Sequence, residues 1–350
     1  MSDGLYHGAP TVHASLPMPA ITAFCSRIKP DNFSLALLGT VGFATVLPCS
    51  GHAAEVVGDV TALAIGLLFF LHGAKLPREA IVAGITHWRL HLTILCLTFV
   101  LFPLLGLMMK PLALQVLTPE LYLGMLFLCM LPSTVQSSIA FTSMARGNVA
   151  AAVCSASASN FIGIFLTPLL VSAFVLQGAA GGHPTMQAVE AIVLQLLLPF
   201  IAGQLLRARI GDWVDRHKPM LKVLDQGAIL LVVYGAFSAA VSEGIWSRLG
   251  LESLAVLGLM CCVLLAVVLG SAAYASRRMG FSHADEITIV FCGSKKSLAS
   301  GVPMAKVLFA SSALGMVILP LMLFHQIQLM VCAVLAWRLR SMSEVHETMK

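Results

Sequence analysis

Apolar residues fill long, nearly unbroken blocks of this chain. A window of about 19 residues isolates ten of them, at 33–49, 57–74, 90–110, 120–144, 148–176, 186–206, 222–242, 252–274, 284–309 and 312–337. A helix needs about 20 apolar residues to cross the hydrocarbon core of a bilayer, so the pattern predicts an all-α integral membrane protein of ten transmembrane helices. Residues 1–32 scatter Pro, Gly and Ser among polar groups and lack the continuous apolar stretch of a signal peptide. They predict a loosely ordered cytoplasmic N-terminal arm, with the first span retained as a helix. The blocks then divide the chain into a five-helix repeat over 33–177, a second over 185–338 and a cytoplasmic tail over 339–350.

Composition sharpens this reading. Hydrophobic residues make up 58% of the chain and charged residues 11%, against about 45–50% and about 25% in soluble domains, which excludes a water-soluble fold. The net charge of +5 is not gathered into a basic stripe, so the partner is the lipid bilayer and not a nucleic acid. Of the Lys and Arg residues, sixteen fall on the side that holds both termini and three (Lys110, Arg248 and Lys306) on the other. By the positive-inside rule this puts both termini in the cytoplasm of a cell whose inner membrane holds the chain. Cys96, Cys129, Cys154, Cys261, Cys262, Cys292 and Cys332 lie in apolar runs without metal-like spacing, and they read as small core residues.

Shifting the chain by 159 residues lays Gln136, Ser137, Ser138, Ile139 and Ala140 on Lys295, Lys296, Ser297, Leu298 and Ala299. The same shift carries span one onto six, two onto seven, three onto eight and five onto ten. Five spans per half is an odd number, so the second half enters the membrane from the opposite face. The predicted arrangement is a pair of inverted-topology repeats of the kind many secondary transporters use.

Spans four and nine carry the chemistry. Pro132 leads into Ser133, Thr134, Gln136, Ser137 and Ser138, while Gly293, Ser294, Ser297, Gly301 and Pro303 surround the adjacent Lys295 and Lys296. Proline and glycine weaken both helices there, and freed backbone groups are tolerated in a membrane only where they are buried or line a cavity. A lysine at bilayer depth costs roughly 2.5–3.5 kcal/mol on insertion scales, so such a charge marks a substrate path. The two breaks are expected to meet at one midplane site that binds substrate or ion through Gln136, Ser137, Ser138, Ser155, Asn160, Ser294, Lys295, Lys296 and Ser297, with at least one lysine reaching the cavity. Ser155, Ser157 and Ser159, spaced every second residue, equally serve close helix packing. His325, Gln326 and Gln328 read as a buried hydrogen-bond network, His72, His87 and His91 as interfacial packing, and Lys75, Arg78 and Glu79 as a solvated turn.

At these residues the chain resembles the bile acid/sodium symporter superfamily, most closely its bacterial symporter-like branch, and it also resembles a vertebrate orphan member. The resemblance rests on LPSTVQSSIAFTSMARGNVAAAVCSASASN (131–160) and FCGSKKSLASGVPMA (291–305), with support from 66–92 and 319–334, and covers about 33–338. It implies a core domain of spans three to five and eight to ten, a panel domain of spans one, two, six and seven, and broken helices four and nine that cross. It further implies sodium ligands where Ser137 and Ser138 stand and, at or next to Lys295, a glutamine. This sequence departs at Ala152 and Ala156, where the family has hydroxyls, and at Phe291, where it has a glutamate. An ammonium beside these positions repels sodium. The expectation is that Lys295 or Lys296 replaces the coupling cation; sodium coupling through Ser137 and Ser138, proton coupling and no coupling stay open, and no cofactor is required.

The leading function is a secondary active transporter of a small organic anion, whose identity and oligomeric state these patterns do not encode. The alternatives are an intramembrane hydrolase using Ser294 or Ser297 with a lysine, or a membrane regulator that transports nothing. No HExxH and no paired intramembrane aspartates occur, and GSKKS lacks the GxxxxGK[ST] spacing, so the chain is not expected to be an enzyme.

Overall fold

The computed structural model describes residues 32–75, 87–176, 190, 193–309 and 311–348, and among them every regular element is a helix. In chain order these are α1 (Asn32–Val46), α2 (His52–Lys75), α3 (Trp88–Met108), α4 (Lys110–Val116), α5 (Pro119–Met130), α6 (Gln136–Met144), α7 (Val149–Phe174), α8 (Val193–Arg216), α9 (Lys218–Ser242), α10 (Ile245–Arg248), α11 (Leu251–Arg278), α12 (His283–Gly293), α13 (Leu298–Leu308) and α14 (Ser311–Thr348). Seven of them, α2, α3, α7, α8, α9, α11 and α14, are long and apolar enough to cross a membrane. Their outward faces are apolar too: Leu63, Leu205, Val223 and Leu259 are each more than 60% exposed. Water would penalise such a surface and lipid does not, so the chain is a multi-pass membrane protein.

Helix α5 stops for a local reason. A residue before proline is pushed out of the α region, and Leu131, which precedes Pro132, has φ −76° and ψ 154°. Helix resumes at Gln136. The second interruption separates α12 from α13: Ser297 is extended and its Oγ caps α13 by accepting from the Ser300 amide at 3.2 Å. Helix α3 is continuous but widens into a π turn over Leu97–Leu101 just before Pro103.

The helices pack in two groups. In the first, α2 lies along α8, and α9 packs on α1 and α2. The α2–α8 crossing requires glycine on both sides, because a Cβ on Gly73 would overlap the Phe200 carbonyl oxygen and one on Gly203 that of Phe70. The second group holds α3, α5, α6, α7, α11, α12, α13 and α14; there Gly124 lets α5 approach α14, since a Cβ would lie 2.5 Å from the Val317 oxygen. The groups meet mainly where α9 touches α13 and α14.

Two readings need correction. Lys75 is no solvated turn residue: it closes α2 and pairs with Asp225 of α9, and both side chains are largely buried. His91 is not interfacial, being 8% exposed, with Nδ1 2.7 Å from Ser155 Oγ. The N-terminal arm up to residue 31 and the residues Arg78 and Glu79 lie outside the described residues.

Candidate functional site

A helix that ends inside a membrane exposes carbonyls that need donors, and from Cys129 to Ser133 every carbonyl has a partner. Cys129 O and Leu131 O accept from Lys296 Nζ at 2.9 and 2.7 Å. Met130 O accepts from Thr167 Oγ1 at 2.8 Å, Pro132 O from the Ser297 amide at 2.9 Å, and Ser133 O from Asn160 Nδ2 at 2.7 Å. The end of α12 is treated alike. Val290 O accepts from Ser294 Oγ at 2.6 Å, Phe291 O from Ser138 Oγ at 3.2 Å, and Cys292 O from Ser133 Oγ.

These contacts obey the offset of 159 residues. The Ser138 hydroxyl reaches Phe291 O and the Ser297 amide reaches Pro132 O, two residue pairs related by that offset, and Ser133 and Cys292, which bond each other, are themselves 159 residues apart. Each break is therefore stitched by the other.

Lys296 is fully buried. Its third bond, at 2.8 Å, goes to Thr98 O in the π turn of α3. That carbonyl is free for a backbone reason: the Phe102 amide bonds Leu97 O instead, and the donor five residues on would be Pro103, which has no N–H. An ammonium has three donors, and three carbonyls take them all. The Phe102 ring adds a cation–π contact, with Nζ 4.1 Å from its centroid. Two of the oxygens lie at the negative end of the α5 dipole. Gln328 of α14 then holds the Lys296 backbone from both sides, accepting from its amide and donating to its carbonyl, each at 2.9 Å, while Nε2 also lies 2.9 Å from His325 Nδ1.

Lys295, equally buried, is less engaged. Its Nζ donates to Ser137 O at 2.9 Å and lies 3.9 Å above the Phe141 ring. Neither lysine pairs with a carboxylate among the described residues. The site thus holds two basic groups among carbonyl dipoles, Lys296 bonded to three of them and Lys295 to one.

Of the expected site residues, Ser137, Ser138, Asn160, Ser294, Lys295, Lys296 and Ser297 converge here. Asn160 joins three segments, since its Oδ1 also accepts from Ser300 Oγ at 2.8 Å. Gln136 is exposed at the start of α6, because the turn that brings Ser138 inward points its neighbour two residues back outward. Ser155 sits one layer away with His91, whereas Ser159 accepts from the Ser133 amide at 3.0 Å and supports the break. Ser294 spends its hydroxyl on Val290 O and Ser297 on the α13 cap, so neither is held by a lysine as a nucleophile would be. The Thr98 and Cys129 carbonyls, Phe102 and Phe141 escaped sequence reasoning. Pro103 inside span three was the one available signal for Thr98.

A model of the SBF-like CPA transporter family matches residues 31–341. The chain is similar to "Uncharacterized protein PA2026" of Pseudomonas aeruginosa, 65% identical over 89% of this chain and 93% of that protein. It is 56% identical to "Putative symporter YfeH" of Escherichia coli K12, over 90% of this chain and 94% of the relative. Identity to "Sodium/bile acid cotransporter 7" of Rattus norvegicus is 27%, over 90% of this chain and 94% of that one. With nearly its whole length matched, this multi-pass chain belongs to the SBF-like CPA transporter family, whose members are transporters and not enzymes.

Proposed function

We propose that the protein is a secondary active transporter of a small organic anion, embedded in the inner membrane with both termini in the cytoplasm. It works by alternating access: α1, α2, α8 and α9 form a panel, the remaining helices a core, and the two rock against each other. In this reading α5–α6 and α12–α13 each count as one broken crossing, giving ten transmembrane helices in two inverted repeats. The contacts that join the two breaks, between Ser133 and Cys292, Ser138 and Phe291, and Ser297 and Pro132, support it.

The observation that carries the proposal is the Lys296 ammonium enclosed by the carbonyls of Thr98, Cys129 and Leu131. Carbonyl oxygens around a positive charge are what a bound metal cation would require. Lys296 is a tethered replacement for a coupling ion, and Lys295, with one carbonyl bonded, grips the anionic substrate. The words sodium and bile acid belong to the rat relative's name. Here a covalently attached cation takes the coupling ion's place.

Uptake of radiolabelled anions into proteoliposomes, with sodium and proton gradients imposed separately, tests this. Saturable uptake that ignores the sodium gradient is expected. Uptake driven by sodium alone would overturn the replacement. A thermal-shift screen of organic anions against purified protein identifies the substrate, because a ligand of the folded state raises its stability.

A further inference from the structure

Away from the breaks, α11, α12 and α14 border a groove of about 530 Å³. Its walls are apolar, formed by Leu269 and Ala273 of α11, Val290 of α12, and Val331 and Leu335 of α14. One end is polar, and there Arg277, His283, Glu286 and Arg338 gather. Glu286 is spent on Arg277, whose Nε lies 2.7 Å from Oε1. Arg338 is exposed and makes no ion pair among the described residues, so the rim carries an uncompensated positive charge.

Length and charge together select an occupant. From Ala266 to Arg277 the groove follows eleven helical steps of about 1.5 Å, roughly 16 Å in all. That matches half of the ~30 Å hydrocarbon core, the depth of one leaflet. An acyl chain fits such a slot, with its phosphate beside Arg338. Basic rims between membrane helices on the cytoplasmic side are suited to anionic headgroups, and this is the side to which the charge bias along the chain assigns Arg277 and Arg338. We propose that the groove between α11, α12 and α14 is a binding site for one anionic phospholipid of the inner leaflet, clamping α12, the helix that leads into the lysine pair, against α14.

Native mass spectrometry and thermal unfolding of the full chain in detergent test this with three probes. These are phosphatidylglycerol, phosphatidylcholine with the same acyl chains, and glycerol 3-phosphate. Phosphatidylglycerol should bind preferentially and raise the unfolding midpoint. Arg338→Gln should weaken it about fivefold, the worth of one arginine at a membrane surface, and Ala273→Phe, which fills the slot without changing charge, should abolish retention of either lipid. Equal binding of the two lipids, indifference to both substitutions, or an equal shift from glycerol 3-phosphate would overturn the proposal. So would a second copy of the chain, found in place of lipid and displaced by Ala273→Phe.

Discussion

The two adjacent lysines are alike in sequence and unlike in surroundings, and their substitutions should separate. Lys296→Met removes the donors of three buried carbonyls. At about 1–3 kcal/mol for each unpaired group, it should destabilise the protein by at least 3 kcal/mol, read as a fall in thermal midpoint. Lys295→Met loses one carbonyl and one ring contact; it should cost no more than about 2 kcal/mol while abolishing anion uptake. Stability losses in the reverse order would contradict the roles assigned. Lys296→Ala adds a sharper test, because it vacates a pocket of carbonyl oxygens. Sodium should stabilise that variant and leave the wild type unaffected, measured as the thermal shift between sodium and choline chloride. Gln328→Ala frees both backbone groups of Lys296, and a loss of about 2–3 kcal/mol is expected.

At the scale of the elements, the interruptions and crossings were legible to different degrees. Pro132 and the Gly293–Ser297 run marked both breaks, because proline and glycine act on the backbone locally and need no partner to be read. The glycines of the α2–α8 crossing carried no such mark: Gly73 and Gly203 sit in ordinary apolar helices, and only the neighbouring backbone makes a side chain there impossible. Gly203→Val should therefore cost about 1–3 kcal/mol by overpacking and lower the thermal midpoint, while the same change at Gly66, where nothing lies within 4 Å, should be nearly silent. The π turn was hidden for a similar reason. It rests on which carbonyl each amide chooses, and Pro103 alone hints at it.

For the molecule as a whole, the proposed orientation predicts that a fluorescent protein fused after Lys350 folds and fluoresces in the cytoplasm; a dark fusion together with an active periplasmic phosphatase reporter would reverse the topology. The all-helical membrane character was readable from hydropathy because burial in lipid is paid residue by residue along each span, and seven long apolar helices carry it. The residues that converge were largely nameable as well, since Lys295, Lys296, Ser137, Ser138 and Asn160 are polar groups that a bilayer does not tolerate without partners. What those residues do to one another was decided in three dimensions. Gln136 turns outward, His91 and Ser155 pair one layer off, and Lys75 finds Asp225, each contact joining segments far apart in the chain. Local composition determined that the chain would lie in a membrane and where its helices would break. Only packing could decide that Lys296 is saturated by three carbonyls while Lys295 bonds a single one, because hydrogen bonds are satisfied by proximity in space and not along the sequence.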